Sequence, residues 1–237
     1  MKKISSLFAR DPNDPRILTD DFHPDAAWVI AGEGVATRKW DGTAVLVREG
    51  RVFARYDVKR GKTAPRDFEP AQDPDPITGK QPGWIPAMRP EDKWIREALV
   101  NTMSKGPEGL SIADGTYEAC GPKIGGNPEG LTEHLLIRHG RDVLDGVPRD
   151  KAGLVEYFRA AHIEGVVWWR EPGNDACDKI KIIGEYLGVR RLARAPVDTA
   201  CPSRVMITAV QKSEIISAME NAVRLIEALP SEKRRRH

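Results

Sequence analysis

Short apolar runs with a charged residue set inside them recur along this chain: ARYDV at 54–58, GTYEACG at 115–121, IEGVVWW at 163–169 and DKIKIIG at 178–184. Each has the length and the β-branched or aromatic content of a strand, and glycine, proline or polar clusters bound it. Burying a charge inside such a strand is costly unless the charge is paired or meets a ligand. Carboxylates at Glu118 and Glu164, with amines at Lys179 and Lys181, therefore imply either a shared polar pocket or a structural ion-pair cluster. Strand signals outnumber helix signals and no regular βαβ alternation appears. The predicted class is α+β, with packed antiparallel sheets and flanking helices.

Composition narrows the function classes. At 237 residues the chain has room for one large domain with short extensions. Lys and Arg total 37 against 35 Asp and Glu; so near a balance gives no global basic field, and any nucleic-acid partner is held locally. The three cysteines, Cys120, Cys177 and Cys201, form neither an even framework nor a C-x-x-C pair, which points to a reducing, cytoplasmic setting without a cysteine zinc site. The opening MKKISSLFAR is too broken by Ser5, Ser6 and Arg10 to read as a signal peptide, and no run approaches a membrane span. A monomer without membrane attachment is the expectation.

Along the chain, residues 1–34 read as an N-terminal extension and 35–190 as the main domain. Residues 191–237 read as a helical extension with a basic tail. Val35 to Val58 predicts a buried hairpin, with Glu49-Gly50 at its turn. Residues 59–93, crowded with Pro, Gly and charge, predict a loop-rich insertion without long regular elements, pinned by Trp84, Ile85 and Met88. Leu154, Val155 and Phe158 share one face of a helix that Asp150 caps, and Lys212 to Leu229 carries an amphipathic stripe that Pro230 ends.

The sharpest motif is Lys39-Trp40-Asp41-Gly42, a K-x-D-G at the mouth of the predicted hairpin. There Asp41 and Gly42 shape a turn that presents the Lys39 amine. A plain surface lysine ahead of an Asp-Gly turn has the same letters, so the tetrapeptide gains weight only from the charged residues downstream of it: Arg55, Glu118, Glu164, and the pair Lys179 and Lys181, in that order.

That ordered series resembles the covalent nucleotidyltransferase superfamily of ATP-dependent DNA ligases, RNA ligases and mRNA capping enzymes, over about residues 35 to 190. It is most similar to RNA ligases related to the vertebrate enzyme that joins 5′-phosphate and 3′-hydroxyl RNA ends, through KWDGT, ARYDVKRGK, QPGWIPA, GGNPEGL, HLLIRHG and EGVVWW. The resemblance implies an ATP-grasp-like nucleotidyltransferase domain and an ATP-dependent RNA ligase that stores AMP on Lys39. It further implies that Glu118 bonds the ribose hydroxyls, Glu164 organises Mg²⁺ or Mn²⁺, Arg55 contacts ribose or phosphate, and Lys179 and Lys181 hold the transferred phosphate. ATP and RNA ends are the implied partners.

Such chemistry needs a neutral amine, and a lysine of ordinary pKa is deprotonated in only about one part in 2500 at pH 7, a handicap of about 4.6 kcal/mol. Either Lys179, Lys181 and a metal ion push the Lys39 pKa down, or a neighbour takes the proton late. An ordinary DNA ligase or a capping-type guanylyltransferase shares the same residues, but only about 50 residues follow Lys181 before the basic tail, too few for the OB-fold those enzymes carry. A dehalogenase-like phosphatase signature fails because Lys39 stands where its nucleophilic Asp belongs. A non-catalytic RNA-binding module on the same fold is the remaining alternative.

Weaker signals are Lys59, Arg60, Lys62 and Lys123, each a phosphate or RNA contact or a solvated loop cation. GPKIGGNPEG, with Asn127, lacks both P-loop and dinucleotide spacing and reads as a turn beside the pocket. His134 and His139 fall on opposite sides of one strand, which suits core or edge positions better than joint metal binding. Trp168 and Trp169 alternate likewise, one of them into the core and the other free to lie near a base. The KRRR tail reads as a solvated end or an RNA contact.

Overall fold

The computed structural model describes residues 2–14, 17–105 and 112–191, together with 216–218 and 221. Those last four are helical; the rest of the helix expected from Lys212 to Leu229, and the basic tail, lie outside the described residues. In chain order the elements are β1 (Ser5–Ser6), β2 (Phe8–Arg10), β3 (Leu18–Phe22), α1 (Ala27–Ile30), β4 (Val35–Lys39), β5 (Thr43–Arg48), β6 (Arg51–Val58), β7 (Glu69–Pro70) and β8 (Gln81–Pro86). They continue with α2 (Lys93–Met103), β9 (Gly115–Cys120), β10 (Leu135–Arg138), α3 (Lys151–Ala161), β11 (Gly165–Trp169) and β12 (Lys179–Ile183). The fold is mixed, with mostly antiparallel sheets and few helices among the described residues.

Two sheets carry the structure. One has the order β1-β12-β11-β4, antiparallel except where β1 runs beside β12; the other has the order β10-β9-β5-β6-β8-β7 and is antiparallel throughout. Each has its own apolar core. Ala36, Val166, Trp168, Ile180 and Ile182 of the first sheet pack with Leu154 and Phe158 of α3. Val45, Val47, Ala54, Tyr117, Ala119 and Leu136 of the second pack with Ile95, Ala98 and Leu99 of α2. Since strand residues alternate faces, the residues between these core positions point away from both helices. On the first sheet they are Thr37, Lys39, Val167, Trp169, Lys179 and Lys181. On the second they include Arg55, Thr116, Glu118 and Cys120. The charged strand positions thus lie on the two faces left uncovered by helices, and hydrogen bonds from Thr116 of the second sheet to Asp175, in the β11–β12 loop of the first, join the two walls of a cleft.

Three expectations change. Val35 to Val58 is not one hairpin: β4 belongs to the first sheet, and only β5 and β6 form a hairpin, through a tight turn with positive φ at Glu49 (52°) and Gly50 (71°). Residues 40–42 therefore carry the chain from one sheet to the other. The 59–93 stretch is not only loop, because β8 lies within the second sheet, with Trp84 and Ile85 buried. Its prolines hid it. Pro82 and Pro86 are tolerated because β7 pairs only with Gly83 and Trp84, leaving one flank of each proline without a demand for an N–H. The residues before Val35 are built into the first sheet: β1 pairs with β12, and Leu7, Phe8, Trp28 and Val29 are in its core.

Candidate active site

Lys39 is the last residue of β4, paired in register with Gly165 at the start of β11. Across β11, Val167 pairs with both Thr37 and Lys181, and Trp169 with both Val35 and Lys179, so the three lysines share one face of the sheet. The Lys39 ammonium donates to both carboxylate oxygens of Glu164, at 2.8 and 2.7 Å, and its side chain is only 23% exposed.

The K-x-D-G turn is held from four sides. Gly42 donates its N–H to Glu118 Oε1 at 3.1 Å. No side chain fits there: a Cβ on Gly42 would lie 2.2 Å from the Ala119 carbonyl oxygen, so glycine is what allows the turn to approach β9. Asp41 donates its N–H to Glu129 Oε1 at 3.0 Å. Arg38 stacks its guanidinium 3.6 Å from the Trp40 ring centroid, and the indole N–H reaches Asp142 Oδ2 at 2.6 Å.

Electrostatics oppose part of the expectation. Burial lowers the Lys39 pKa, but the Glu164 and Glu118 carboxylates outweigh it, so the amine sits above the ordinary lysine value and not below it. Of the two expected depressing cations, Lys179 turns its ammonium to the Asp175 and Cys177 carbonyls, at 2.8 and 3.0 Å, and lies over the Trp169 ring. Glu164 is pushed up to about 7 by burial, with Lys39 pulling the other way. Lys181 is pushed down to about 8 by burial and the neighbouring Lys39 charge. Lys39 therefore rests charged, beside a carboxyl group that burial raises toward neutrality.

Of the residues singled out in the sequence, Lys39, Asp41, Gly42, Glu118, Glu164, Lys179 and Lys181 come together around the cleft. Arg55 lies on the Glu118 face of its sheet, within 3.4 Å of Asp57 and over the Trp84 ring. Lys59, Arg60 and Lys62 are exposed on the loop after β6. Lys123 is exposed as well, and its backbone N–H donates to His134 Nε2 at 3.1 Å. Asn127 closes its own turn by exchanging two side-chain hydrogen bonds with the Leu131 backbone. Trp168 is in the core and Trp169 on the cleft face.

Two residues of the site were not legible. Glu129, with a wholly buried side chain, pairs with Arg38 and with Arg191, the latter at 2.9 Å, while it holds the Asp41 N–H. His139, read as a core or edge histidine, lies 2.9 Å from Glu118 Oε2. An acid in a glycine-rich loop and a lone histidine carry no pattern that separates them from solvated or packed ones.

Among the described residues no group of three His, Cys, Asp or Glu is arranged to hold a metal ion, and no helix is long and apolar enough to cross a membrane. No family model matches the sequence, and no curated protein matches it.

Proposed function

We propose that this chain is an ATP-dependent RNA ligase of the covalent nucleotidyltransferase type, joining 5′-phosphate and 3′-hydroxyl ends. The observation that carries the reading is the Lys39–Glu164 pair at the cleft, where the one lysine of the K-x-D-G turn meets a carboxyl group raised to about 7. A nucleophilic amine needs an acceptor for its proton, and an acid with a pKa near the working pH is suited to take it.

In the first step Lys39 Nζ attacks the α-phosphorus of ATP. One proton of the resting ammonium passes to Glu164 before the attack; the N–P bond then forms, the bond to the bridging oxygen breaks, and the second nitrogen proton leaves with the departing pyrophosphate. Lys181, and Lys179 once it leaves its carbonyl partners, would face the phosphate oxygens, where charge spreads during transfer. In the second step an oxygen of an RNA 5′-phosphate attacks the same phosphorus and Lys39 departs. In the third the 3′-hydroxyl attacks the RNA phosphorus, the strand is sealed and AMP is released.

Mg²⁺ keeps most of its waters and leans on substrate phosphates, so it needs only one or two protein carboxylates, and Glu164 would supply one. When bound, the ion would neutralise phosphate charge.

Incubation with α-labelled ATP and Mg²⁺, followed by a denaturing gel, is expected to leave label on the chain and none on Lys39→Ala. Label taken from GTP and refused from ATP would instead indicate capping chemistry. RNA ends are expected to be sealed better than the equivalent DNA; equal or better DNA joining would overturn the RNA assignment while leaving nucleotidyl transfer in place.

A further inference from the structure

A second set of hydrogen bonds crosses the cleft away from Lys39. Glu118 Oε1 accepts the Gly42 N–H, and Oε2 lies 2.9 Å from His139 Nε2. The other ring nitrogen, Nδ1, lies 3.0 Å from Thr116 Oγ1. Thr116 gives both its hydroxyl proton and its N–H to the Asp175 carboxylate, the latter at 2.8 Å. The Asp175 carbonyl then accepts the Lys179 ammonium at 2.8 Å. Glu118 and Thr116 come from β9 of the six-stranded sheet and His139 from the turn that follows β10, while Asp175 and Lys179 come from the β11–β12 segment of the other sheet, so the chain ties the two walls together. Arg138, next to His139, turns to the Asp114 carbonyl and the Tyr117 hydroxyl.

Counting protons along this chain fixes the state of the ring. A carboxylate only accepts, so the single hydroxyl proton of Thr116 is spent on Asp175. The Thr116 oxygen must then accept, which requires a proton on His139 Nδ1. A neutral ring so protonated would aim a bare lone pair from Nε2 at a Glu118 oxygen, whose partner oxygen is already an acceptor for Gly42. A second proton is needed between them, and because an imidazole is ordinarily a stronger base than a carboxylate it belongs to the ring.

We infer that His139 is a positioning residue held as an imidazolium, which fixes Glu118 between the Gly42 N–H and the ring so that the carboxylate presents its remaining acceptor capacity to the hydroxyls of a nucleotide sugar. The sugar assignment rests on the ligase reading; the ring state does not. With each oxygen of Glu118 tethered, the group that reads the sugar is locked to the same turn that presents Lys39, and His139 links that turn through Thr116 and Asp175 to Lys179 on the opposite wall.

Two measurements test this on the full-length protein. In a long-range ¹H–¹⁵N spectrum of histidine-labelled protein at neutral pH, the resonances that vanish in His139→Gln are expected to show both nitrogens protonated, and Thr116→Val is expected to return the ring to a neutral form. One bare ring nitrogen in the wild type overturns the proposal. In the labelling reaction, His139→Gln is expected to raise KM for ATP about tenfold, the size of one lost charged hydrogen bond, with a smaller fall in kcat. It should also narrow the preference for ATP over 2′-deoxy-ATP. An unchanged preference with kcat falling alone refutes the positioning role. If the wild type takes no label at all, the ligase reading fails, and the ring spectrum still decides the proposal. Should His139→Gln fail to fold, Thr116→Val supplies both readouts.

Discussion

Lys39 donates to both carboxylate oxygens of Glu164, at 2.8 and 2.7 Å, across the junction where β4 ends and β11 begins. The pairing explains why the amine is protonated at rest and how it can be relieved of its proton without a strong base. It also makes Glu164 the residue whose removal separates proton transfer from nucleotide binding. Glu164→Gln keeps the shape and one hydrogen bond while losing the acceptor, and a positioned acid or base contributes roughly 10²–10⁴ in rate. Label transfer from ATP to Lys39 is expected to slow by at least about a hundredfold. Transfer at the wild-type rate would remove Glu164 from the mechanism.

In the proposed transfer, the acidity of two groups sets the pH range. Glu164 must be ionised to accept the proton, so transfer is expected to rise through about pH 7. Lys181 must keep its charge to face phosphate, so transfer is expected to fall beyond about pH 8. The result is a narrow bell, whose limbs belong to the interacting site as a whole. In Lys181→Met the alkaline limb should disappear while the maximum rate falls. A wild-type rate that keeps climbing well past pH 8 would show that deprotonation of Lys39 itself is limiting.

The same shifts act on stability, with opposite signs on either side of neutrality. Glu164 rises from 4.5 to about 7 on folding, so between those values the folded chain binds more protons than the unfolded chain, and stability falls as pH climbs through about 7. Lys181 drops from 10.5 to about 8, so its contribution is present above 10.5 and lost as pH falls through about 8. Both contributions are at their lowest between these windows, with Glu164 ionised and Lys181 charged. Wild-type Tm is therefore expected to gain on that of Lys181→Met as pH is raised from about 8 to 10. A constant gap across that range would mean that Lys181 has its ordinary pKa in the fold.

Features were legible in the sequence where the physics that makes them is local. Lys179 and Lys181, two apart in a strand, had to share a face, and β12 puts them there. Embedded charge in DKIKIIG and GTYEACG marked faces that no helix covers, because an uncompensated charge could not be buried against one. The β8 strand was hidden because Pro82 and Pro86 read as breakers, and only the shortness of its neighbour β7 makes them harmless. The division of Val35 to Val58 between two sheets was hidden as well, since nothing in KWDGT announces a crossing. It is visible only in the sheet order, which places β4 beside β11 and β5 between β9 and β6. Depression of the Lys39 pKa by the lysine pair was expected from charge alone. It fails because ammonium direction matters: Lys179 points at carbonyls, while Glu164 holds the Lys39 ammonium in direct hydrogen bonds.

Glu129 offers the sharpest test of how the K-x-D-G turn is held. Its carboxylate, fully shielded from water, is shared by Arg38 and Arg191 and receives the Asp41 N–H. Glu129→Ala takes away a buried anion that the two guanidiniums share and frees the Asp41 end of the turn beside Lys39. Removing one partner from a buried ion cluster costs about 3–5 kcal/mol, more than replacing the whole cluster by apolar groups. Glu129→Ala is therefore expected to lower the unfolding free energy by about that amount, and Glu129→Gln, which still accepts from Asp41, by less. Because the turn loses its anchor, label transfer should fall in the folded fraction of both variants while the Lys39–Glu164 pairing persists. A chemical denaturation midpoint unchanged in Glu129→Ala would show that the two arginines find other partners and that the turn does not depend on this carboxylate.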